Sequence, residues 1–202
     1  LDDVTHRFPE IEQAARSLGR SAILDGEIVA FSDRILPFAI LQTRLGRKKI
    51  TEKLLSEAPV VFFAFDLLYA GGEPLFELPL HERLAKLRTL IPTDPEAQAP
   101  RPEAPIYLSH QSPIRDAQHI DALFDEARAR ANEGLVVKDP NSIYTPGRRG
   151  KSWLKYKKAL ATLDCVVTAA QYGTIIANPA QIHVYAAMIA GVTSVVHFAA
   201  ES

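Results

Sequence analysis

The stretch from Glu133 to Lys158 constrains the fold most, because it reads as a strand, a turn-rich loop and a second strand. Leu135–Val137 is a short apolar run of the kind that forms a buried strand. Trp153–Tyr156 resumes an extended pattern, with Lys155 and Lys157 alternating onto one face. An acid, Glu133, heads the first strand. Such an arrangement suits a metal-bound phosphate chain, because a carboxylate holds a hard cation and ammonium groups neutralise phosphate oxygens.

Positive charge is concentrated in the same stretch. Between Lys138 and Lys158 lie seven of the chain's 23 lysines and arginines and one of its 24 acidic residues, Asp139. A pair of alternate lysines on a strand is by itself typical of a solvated face. The concentration of charge instead favours a local anionic ligand.

Length and composition limit the class of protein. A chain of 202 residues that is 47% hydrophobic can bury one sizeable core, or one domain with part of another. The single cysteine, Cys165, excludes an internal disulfide framework and fits a reducing cytoplasm. Because it lies in an apolar run, we interpret it as a buried structural thiol rather than a nucleophile.

The remaining pattern predicts alternating helices and strands. The strand over residues 60–69 is the most apolar and aromatic, and we expect most of its aromatic rings in the core. Asp25-Gly26-Glu27 lies between two apolar runs, and it is either a hairpin turn or an acid held where two strand segments join. Proline-rich residues 92–105 predict a surface loop. Helices are predicted over residues 5–18, 37–45, 51–56, 80–91 and 116–131.

Four short motifs of the chain resemble those of the ATP-dependent DNA ligases, which are covalent nucleotidyltransferases related to the RNA-capping enzymes. E-G-L-V-V-K at 133–138 and W-L-K-Y-K at 153–157 are similar to the fourth and fifth ligase motifs. L-D-G-E-I-V-A-F at 24–31 resembles the third, and A-F-D-L-L-Y at 64–69 resembles the motif that stacks an aromatic ring on adenine. Each motif is short, but the ordered set is specific. Y-T-P-G-R-R-G-K-S-W looks most like bacterial repair-type and archaeal ligases.

The resemblance implies a fold and a domain organisation. We expect an α+β nucleotidyltransferase domain, with antiparallel sheets and flanking helices, over residues 1–160. Residues 161–202 would begin an OB-fold-like β segment or form a divergent tail. The resemblance stops near Gly173. Val184–Ala200 is apolar, but it is too short for a membrane span and contains polar residues, so we expect either strands or a misread tail there.

The resemblance also implies a set of site residues and ligands. Glu27, Glu133, Lys155 and Lys157 would be catalytic, with Glu133 facing a metal ion and Glu27 near the ribose. Phe65 would stack on adenine, and Lys138 and Arg149 would join Glu27, Lys155 and Lys157 in binding the nucleotide. The implied cofactors are ATP and Mg²⁺ or Mn²⁺, and the implied partner is nicked duplex DNA. We expect these residues to converge on one pocket.

One motif of the family is missing from the sequence. The nucleophilic lysine of these enzymes lies in K-x-D-G-x-R, whereas no lysine here precedes x-D-G and Ile23 stands two residues before Asp25-Gly26. The resemblance implies that the motif lies upstream. We therefore expect either a fragment of a ligase or a non-catalytic remnant that binds nucleotide or DNA ends. RNA capping or RNA ligation by the same type of domain is a third hypothesis.

The resemblance extends to cellular context. It implies a bacterial or archaeal cytoplasmic protein, associated with the nucleoid, that serves DNA repair, recombination or replication. Other repair modules and the missing N-terminal segment are its implied protein partners.

Overall fold

The computed structural model describes residues 3–47, 49–91, 104–130, 132–147 and 150–157, and the backbone of 166–172, 181–187 and 193–199. The chain forms two compact units, Leu1–Lys157 and Lys158–Ser202. None of the described helices combines the length and the apolar character needed to cross a bilayer. The predicted α+β architecture is confirmed.

The first unit is built on a sheet whose central strand is β2 (Val60–Ala70). β1 (Ala22–Ala30) pairs antiparallel along one edge of β2. Along the other edge lie β3 (Glu73–Pro74), which is antiparallel, and β4 (Ile106–Leu108), which is parallel. Gly71 and Gly72 make the turn between β2 and β3 with φ of 60° and 100°, values that favour glycine.

β1 runs without a break through Asp25-Gly26-Glu27, so the hairpin-turn interpretation is wrong. A Cβ on Gly26 would lie 2.3 Å from the Phe62 ring and 2.6 Å from a β2 carbonyl oxygen. The glycine is therefore needed for close packing of two strands rather than for a turn.

The pairing of β1 with β2 contains two irregularities. The register passes from Tyr69 to Leu67 and from Asp66 to Ala64, so Leu68 and Phe65 are the extra residues of two bulges. Bulges bend a strand locally and re-aim the side chains beside them.

The described part of the chain contains five α-helices, and all five were predicted. The predicted helix over 5–18 is divided, however, into a 3₁₀ turn at Thr5–Arg7 and α1, because Phe8 is buried between them and Pro9 suits a first helical position. Thr51 and Asp116 cap the third and fifth helices with their side chains. The helices are α1 (Pro9–Ser17), α2 (Phe38–Leu45), α3 (Glu52–Glu57), α4 (Leu80–Leu90) and α5 (Ala117–Ala129).

The apolar side chains form two cores. Under α4, Leu87 and Ile91 pack with Ala64 and Leu67 of β2. A second cluster joins Phe8 and Leu41 to the other end of the strands, at Ala30 and Val60.

The aromatic residues of β2 were expected to lie mostly in the core, and this is wrong. The buried residues of β2 are mainly aliphatic, whereas its aromatic side chains are half-buried. The rings therefore lie at the edges of the core, and Phe62 packs against it. They belong to Phe62, Phe63, Phe65 and Tyr69.

β5 (Leu135–Lys138) and β6 (Trp153–Tyr156) form an antiparallel hairpin. The predicted order of strand, loop and strand is confirmed, but β5 is not a buried strand, since Val136 is 51% exposed. α5 covers one face of the hairpin through an edge-on contact of Phe124 with Tyr156. A two-stranded ribbon covered on one side leaves its other side partly open.

The second unit contains three antiparallel strands in the order β7 (Val166–Tyr172), β8 (Gln181–Ala187) and β9 (Thr193–Ala199). The expectation of strands in Val184–Ala200 is confirmed. Cys165 and most of the predicted proline-rich loop, residues 92–103, lie outside the described residues.

Candidate functional site

The hairpin meets the central sheet through the ammonium group of Lys138. Its Nζ lies 3.7 Å from the centre of the Trp153 ring and 4.2 Å from the centre of the Phe65 ring. The same atom donates a 3.4 Å hydrogen bond to the Phe65 carbonyl oxygen. A cation held over two aromatic faces is an attractive arrangement. It joins residues of β2, β5 and β6 that are distant in sequence.

Three aromatic rings surround this contact, and we call Phe65, Tyr144 and Trp153 the aromatic face. The Trp153 ring stands edge-on to Phe65, with 5.9 Å between centres, and edge-on to Tyr144, with 6.1 Å. Phe65 is the extra residue of a β2 bulge, which accounts for a partly exposed ring beside buried neighbours.

Asp25 connects β1 to this face. The Tyr144 hydroxyl donates a 2.8 Å hydrogen bond to Asp25 Oδ2. Side chains two apart on a strand share a face, so Glu27 lies on the same side of β1 as Asp25. Glu27 is exposed and, within the described part of the chain, makes no hydrogen bond or ion pair. Its carboxylate is thus open to a ligand.

A buried ion pair lies behind the aromatic face. Asp66 and Arg83 are both 0% exposed and form a two-pronged contact, with both N–O distances 2.8 Å. Asp66 also accepts a hydrogen bond from the backbone N–H of Leu67.

The buried position changes the acid–base properties of two groups. Burial lowers the pKa of Lys138 from 10.5 to about 8, although Asp66 and Asp25 oppose that shift. Burial, together with the hydrogen bond to Asp25, raises the pKa of Tyr144 to about 12. Lys138 therefore changes charge close to neutral pH.

Glu133 and Lys157 form an exposed ion pair at the open end of the hairpin. Lys157 Nζ lies 2.6 Å from Glu133 Oε2, with the side chains 52% and 85% exposed. The hydrogen bond and charge of Lys157, with smaller effects of Lys155 and Arg128, lower the pKa of the Glu133 carboxyl. Lys155 alternates onto the same face of β6 as Trp153. One carboxylate and two ammonium groups are thus exposed on the hairpin.

The predicted site residues converge in part. Phe65 and Lys138 are in direct contact, Lys155 is two residues from Trp153 on one strand face, and Glu133 contacts Lys157. Glu27 is placed on the site's side of β1 by register alone. Arg149 lies outside the described residues.

The chemistry of this region fits a nucleotide and a hard cation. Flat half-exposed rings match a base, and ammonium groups match phosphate oxygens. Among the described residues no cluster of three or more acidic, histidine or cysteine side chains could hold a metal alone. A single carboxylate such as Glu133 is nevertheless compatible with Mg²⁺, which takes one or two carboxylates and completes its shell with water and substrate phosphates.

Two cavities of about 240 and 270 Å³ occur elsewhere in the first unit. One lies between Leu84, Leu108 and His110, and the other between α1 and the sheet. Neither is lined by a residue of the aromatic face.

Sequence reasoning did not assign roles to Asp25, Tyr144, Trp153 or Arg83. Arg83 carried a usable signal: it falls between Leu80 and Leu87 on the apolar stripe of α4, where a charge requires a buried partner. Tyr144 and Trp153 lie within the basic stretch and were read as part of a turn-rich loop and a strand.

Comparison with known proteins relates the first unit to one family. A family model described as "ATP dependent DNA ligase domain" matches residues 1–157. The chain is 43% identical to a probable DNA ligase of Koribacter versatilis over 86% of its length and 33% of that relative. It is 39% identical to a DNA ligase of Haloarcula marismortui, over 86% of this chain and 30% of that protein. The chain thus spans about a third of these curated relatives.

A solved structure shares the fold. The chain resembles a mycobacterial DNA ligase D complexed with ATP and MES, with a TM-score of 0.59 and 27% identity. The likeness covers 91% of this chain and 52% of the other.

Proposed function

Because the chain belongs to the ATP-dependent DNA ligase domain family, we propose that it provides the nucleotide-binding and nick-sealing surface of a ligase that joins duplex DNA through adenylated intermediates. The observation that carries this proposal is the meeting of Lys138 and Trp153 with Phe65, since residues far apart in sequence build one face there. The whole ligation reaction, its DNA substrate and its metal are parts of the proposal.

The aromatic face would hold the base. Phe65 offers a partly exposed ring, and stacking of one base on such a ring is worth roughly 1–3 kcal/mol. Lys138 lies over one face of the same ring, so a base would stack on the opposite face. Glu27, on the same side of β1 as Asp25, would accept a hydrogen bond from the ribose.

Lys155 and Lys157 would bind phosphate oxygens. Both ammonium groups are exposed, so they reach a ligand without prior burial of charge. In the sealing step the 3′-hydroxyl oxygen forms a bond to the 5′ phosphorus, the phosphoanhydride bond breaks, AMP departs and the hydroxyl proton passes to solvent. Negative charge builds on the phosphoryl oxygens, so fixed ammonium groups stabilise the transition state.

Glu133 would hold a divalent cation, Mg²⁺ or Mn²⁺, which neutralises phosphate charge when bound. Its ion pair with Lys157 keeps the carboxylate ionised and therefore ready to act as a ligand. Lys157 would then exchange Glu133 for phosphate as its partner.

Nucleotide binding is the first test. Calorimetric titration of the chain with ATP and with adenosine should detect both ligands. Phe65→Ala is expected to weaken both by about tenfold, the loss of one stacking contact. Phe76→Ala is a matched control, because Phe76 also contacts Tyr144 but is not part of the aromatic face. Equal affinity of wild type and Phe65→Ala would remove Phe65 from the site.

Sealing is the second test. A duplex whose nick already carries a 5′-adenylate bypasses the lysine that the sequence lacks. Slow Mg²⁺-dependent joining of this substrate is expected, and Lys155→Ala should reduce it. Nucleotide binding without any joining would instead favour the non-catalytic remnant, the reading supported by the missing K-x-D-G.

A further inference from the structure

Arg83 is a buried cation that contacts three separate segments. It is 0% exposed and lies on the apolar side of α4. Its guanidinium binds both carboxylate oxygens of Asp66. It also donates to the carbonyl oxygen of Leu78 just before α4, and to that of Ser142, at 3.1 Å, in the loop after β5.

The loop after β5 is tied to α4 at further points. The backbone N–H groups of Leu80 and His81 donate to the carbonyl oxygens of Ser142 and Pro140, each at 2.9 Å. Tyr144 N–H donates to Phe76 O at 2.9 Å. The Arg83 guanidinium lies within this ladder, and its Cζ is 5.9 Å from the centre of the Tyr144 ring.

These contacts lead to the aromatic face from two directions. Asp66 directly follows Phe65, so fixing its carboxylate fixes the bulge that presents the Phe65 ring. Ser142 is two residues before Tyr144, whose ring packs against Trp153. One guanidinium therefore holds both the β2 side and the hairpin side of the face.

We propose that Arg83 is a positioning residue that sets the spacing of Phe65 and Trp153, and thereby the shape of the surface that receives the base. The part that concerns the base rests on the proposed function, whereas the part that concerns ring spacing does not. Arg83 acts through Asp66 and Ser142 and does not itself touch the ligand.

The structure offers a reason to separate positioning from stability. Replacing a buried ion pair by apolar residues is often neutral or stabilising. Stability alone therefore does not explain why the Arg83 guanidinium donates four hydrogen bonds. Arg44 is a matched comparison. It is also 0% exposed and binds Glu10 with two prongs, at 2.6 and 3.0 Å, but its other contacts are with the Ala58 carbonyl oxygen and the Phe8 ring and not with the aromatic face.

The single tryptophan supplies a direct readout, because Trp153 belongs to the face itself. We would compare Arg83→Lys with Arg44→Lys, since lysine keeps the charge but loses the bidentate geometry. The double variant Asp66→Asn/Arg83→Met removes both buried charges and avoids stranding one of them. Acrylamide quenching of Trp153 is measured without ligand, and adenosine affinity by calorimetry.

Arg83→Lys and the double variant are expected to increase the quenching constant of Trp153 by about twofold, because a less constrained ring is reached more often. Adenosine binding should weaken by about tenfold in both. Arg44→Lys should match wild type in both measurements. Wild-type quenching in both Arg83 variants would overturn the inference, as would an equal change in Arg44→Lys.

The two claims fail differently. If wild type does not bind adenosine but quenching rises only in the Arg83 variants, the proposed function is wrong and the positioning role stands. If the variants do not fold, hydrogen exchange of the wild-type protein tests the inference instead. The Arg83 Nε–H and the Tyr144 backbone N–H should then exchange with the same free energy of opening. Unequal opening of these two groups would overturn the inference.

Discussion

The ammonium group of Lys138 rests 3.7 Å from the centre of the Trp153 ring, within a site where burial lowers the lysine pKa to about 8. We expect Trp153 emission to change with a midpoint near pH 8, because the charge over the ring is present below that pH and lost above it. A fluorescence titration of wild type and Lys138→Met measures this. A transition that persists in Lys138→Met would assign it to another group.

The same shift has a stability consequence. Between pH 8 and 10.5 the unfolded chain binds more protons at Lys138 than the folded chain does, so the contribution of Lys138 to the free energy of unfolding should rise with pH. Tyr144, whose pKa is raised to about 12, should lower stability as pH rises from 10 to 12. Urea unfolding across these ranges, repeated with Lys138→Met and Tyr144→Phe, separates the two contributions.

Lys155 and Phe65 should bind different parts of a nucleotide, the phosphates and the base. Lys155→Ala is expected to weaken ATP binding by about tenfold and leave adenosine binding unchanged, because the ammonium group addresses phosphate charge. Lys151→Ala serves as a control, since Lys151 is an exposed lysine of the same basic stretch that precedes β6. The ratio of ATP to adenosine affinity is the measured quantity, and an equal loss for both ligands would contradict a phosphate role.

Gly26 should be intolerant of a methyl group. Its Cβ would meet the Phe62 ring at 2.3 Å and the Phe63 carbonyl oxygen at 2.6 Å, so Gly26→Ala is expected to destabilise the fold by about 2–3 kcal/mol. Gly46 has no atom within 4 Å of its own Cβ position, and Gly46→Ala should be nearly neutral. Urea denaturation compares the two, and similar midpoints would contradict the close approach of β1 and β2.

Labelled ATP tests the missing motif. Because no lysine of this chain precedes x-D-G, incubation with α-labelled ATP and Mg²⁺ should leave the protein unlabelled. Gel electrophoresis under denaturing conditions detects a covalent phosphoramidate. A labelled band would mean that another residue acts as the nucleophile.

Secondary-structure elements were easier to predict from the sequence than the buried contacts between residues that are distant in sequence. Period and apolar runs located the five described helices and the strands β2, β5 and β6, because those patterns act locally, whereas the short strands β3 and β4 were not predicted. The Asp25-Gly26 pair was ambiguous, since the same two residues suit a turn or a tight strand contact, and the decisive Phe62 ring is distant in sequence. Val136 was misjudged because apolar character does not say which face a neighbour covers.

Residues that act through others were hardest to predict. Phe65, Lys138, Lys155 and Lys157 were predicted as site residues because a motif resemblance marked them. Arg83 instead depends on a carboxylate and two carbonyl groups from three segments. The bulge at Phe65 leaves no local sequence signal, since it is defined by its pairing with β1.

Because of that bulge, the Phe65 position is independent of the register between β1 and β2. In a regular ladder, gaining or losing one residue turns every later side chain to the opposite face. Here the pairing with β1 simply passes over Phe65, with Asp66 and Ala64 each keeping a partner. A single codon could therefore have been inserted to add the ring, and could be deleted to remove it, while the strands on either side keep their places. Ligand recognition in such a strand can be acquired or discarded without rebuilding the core.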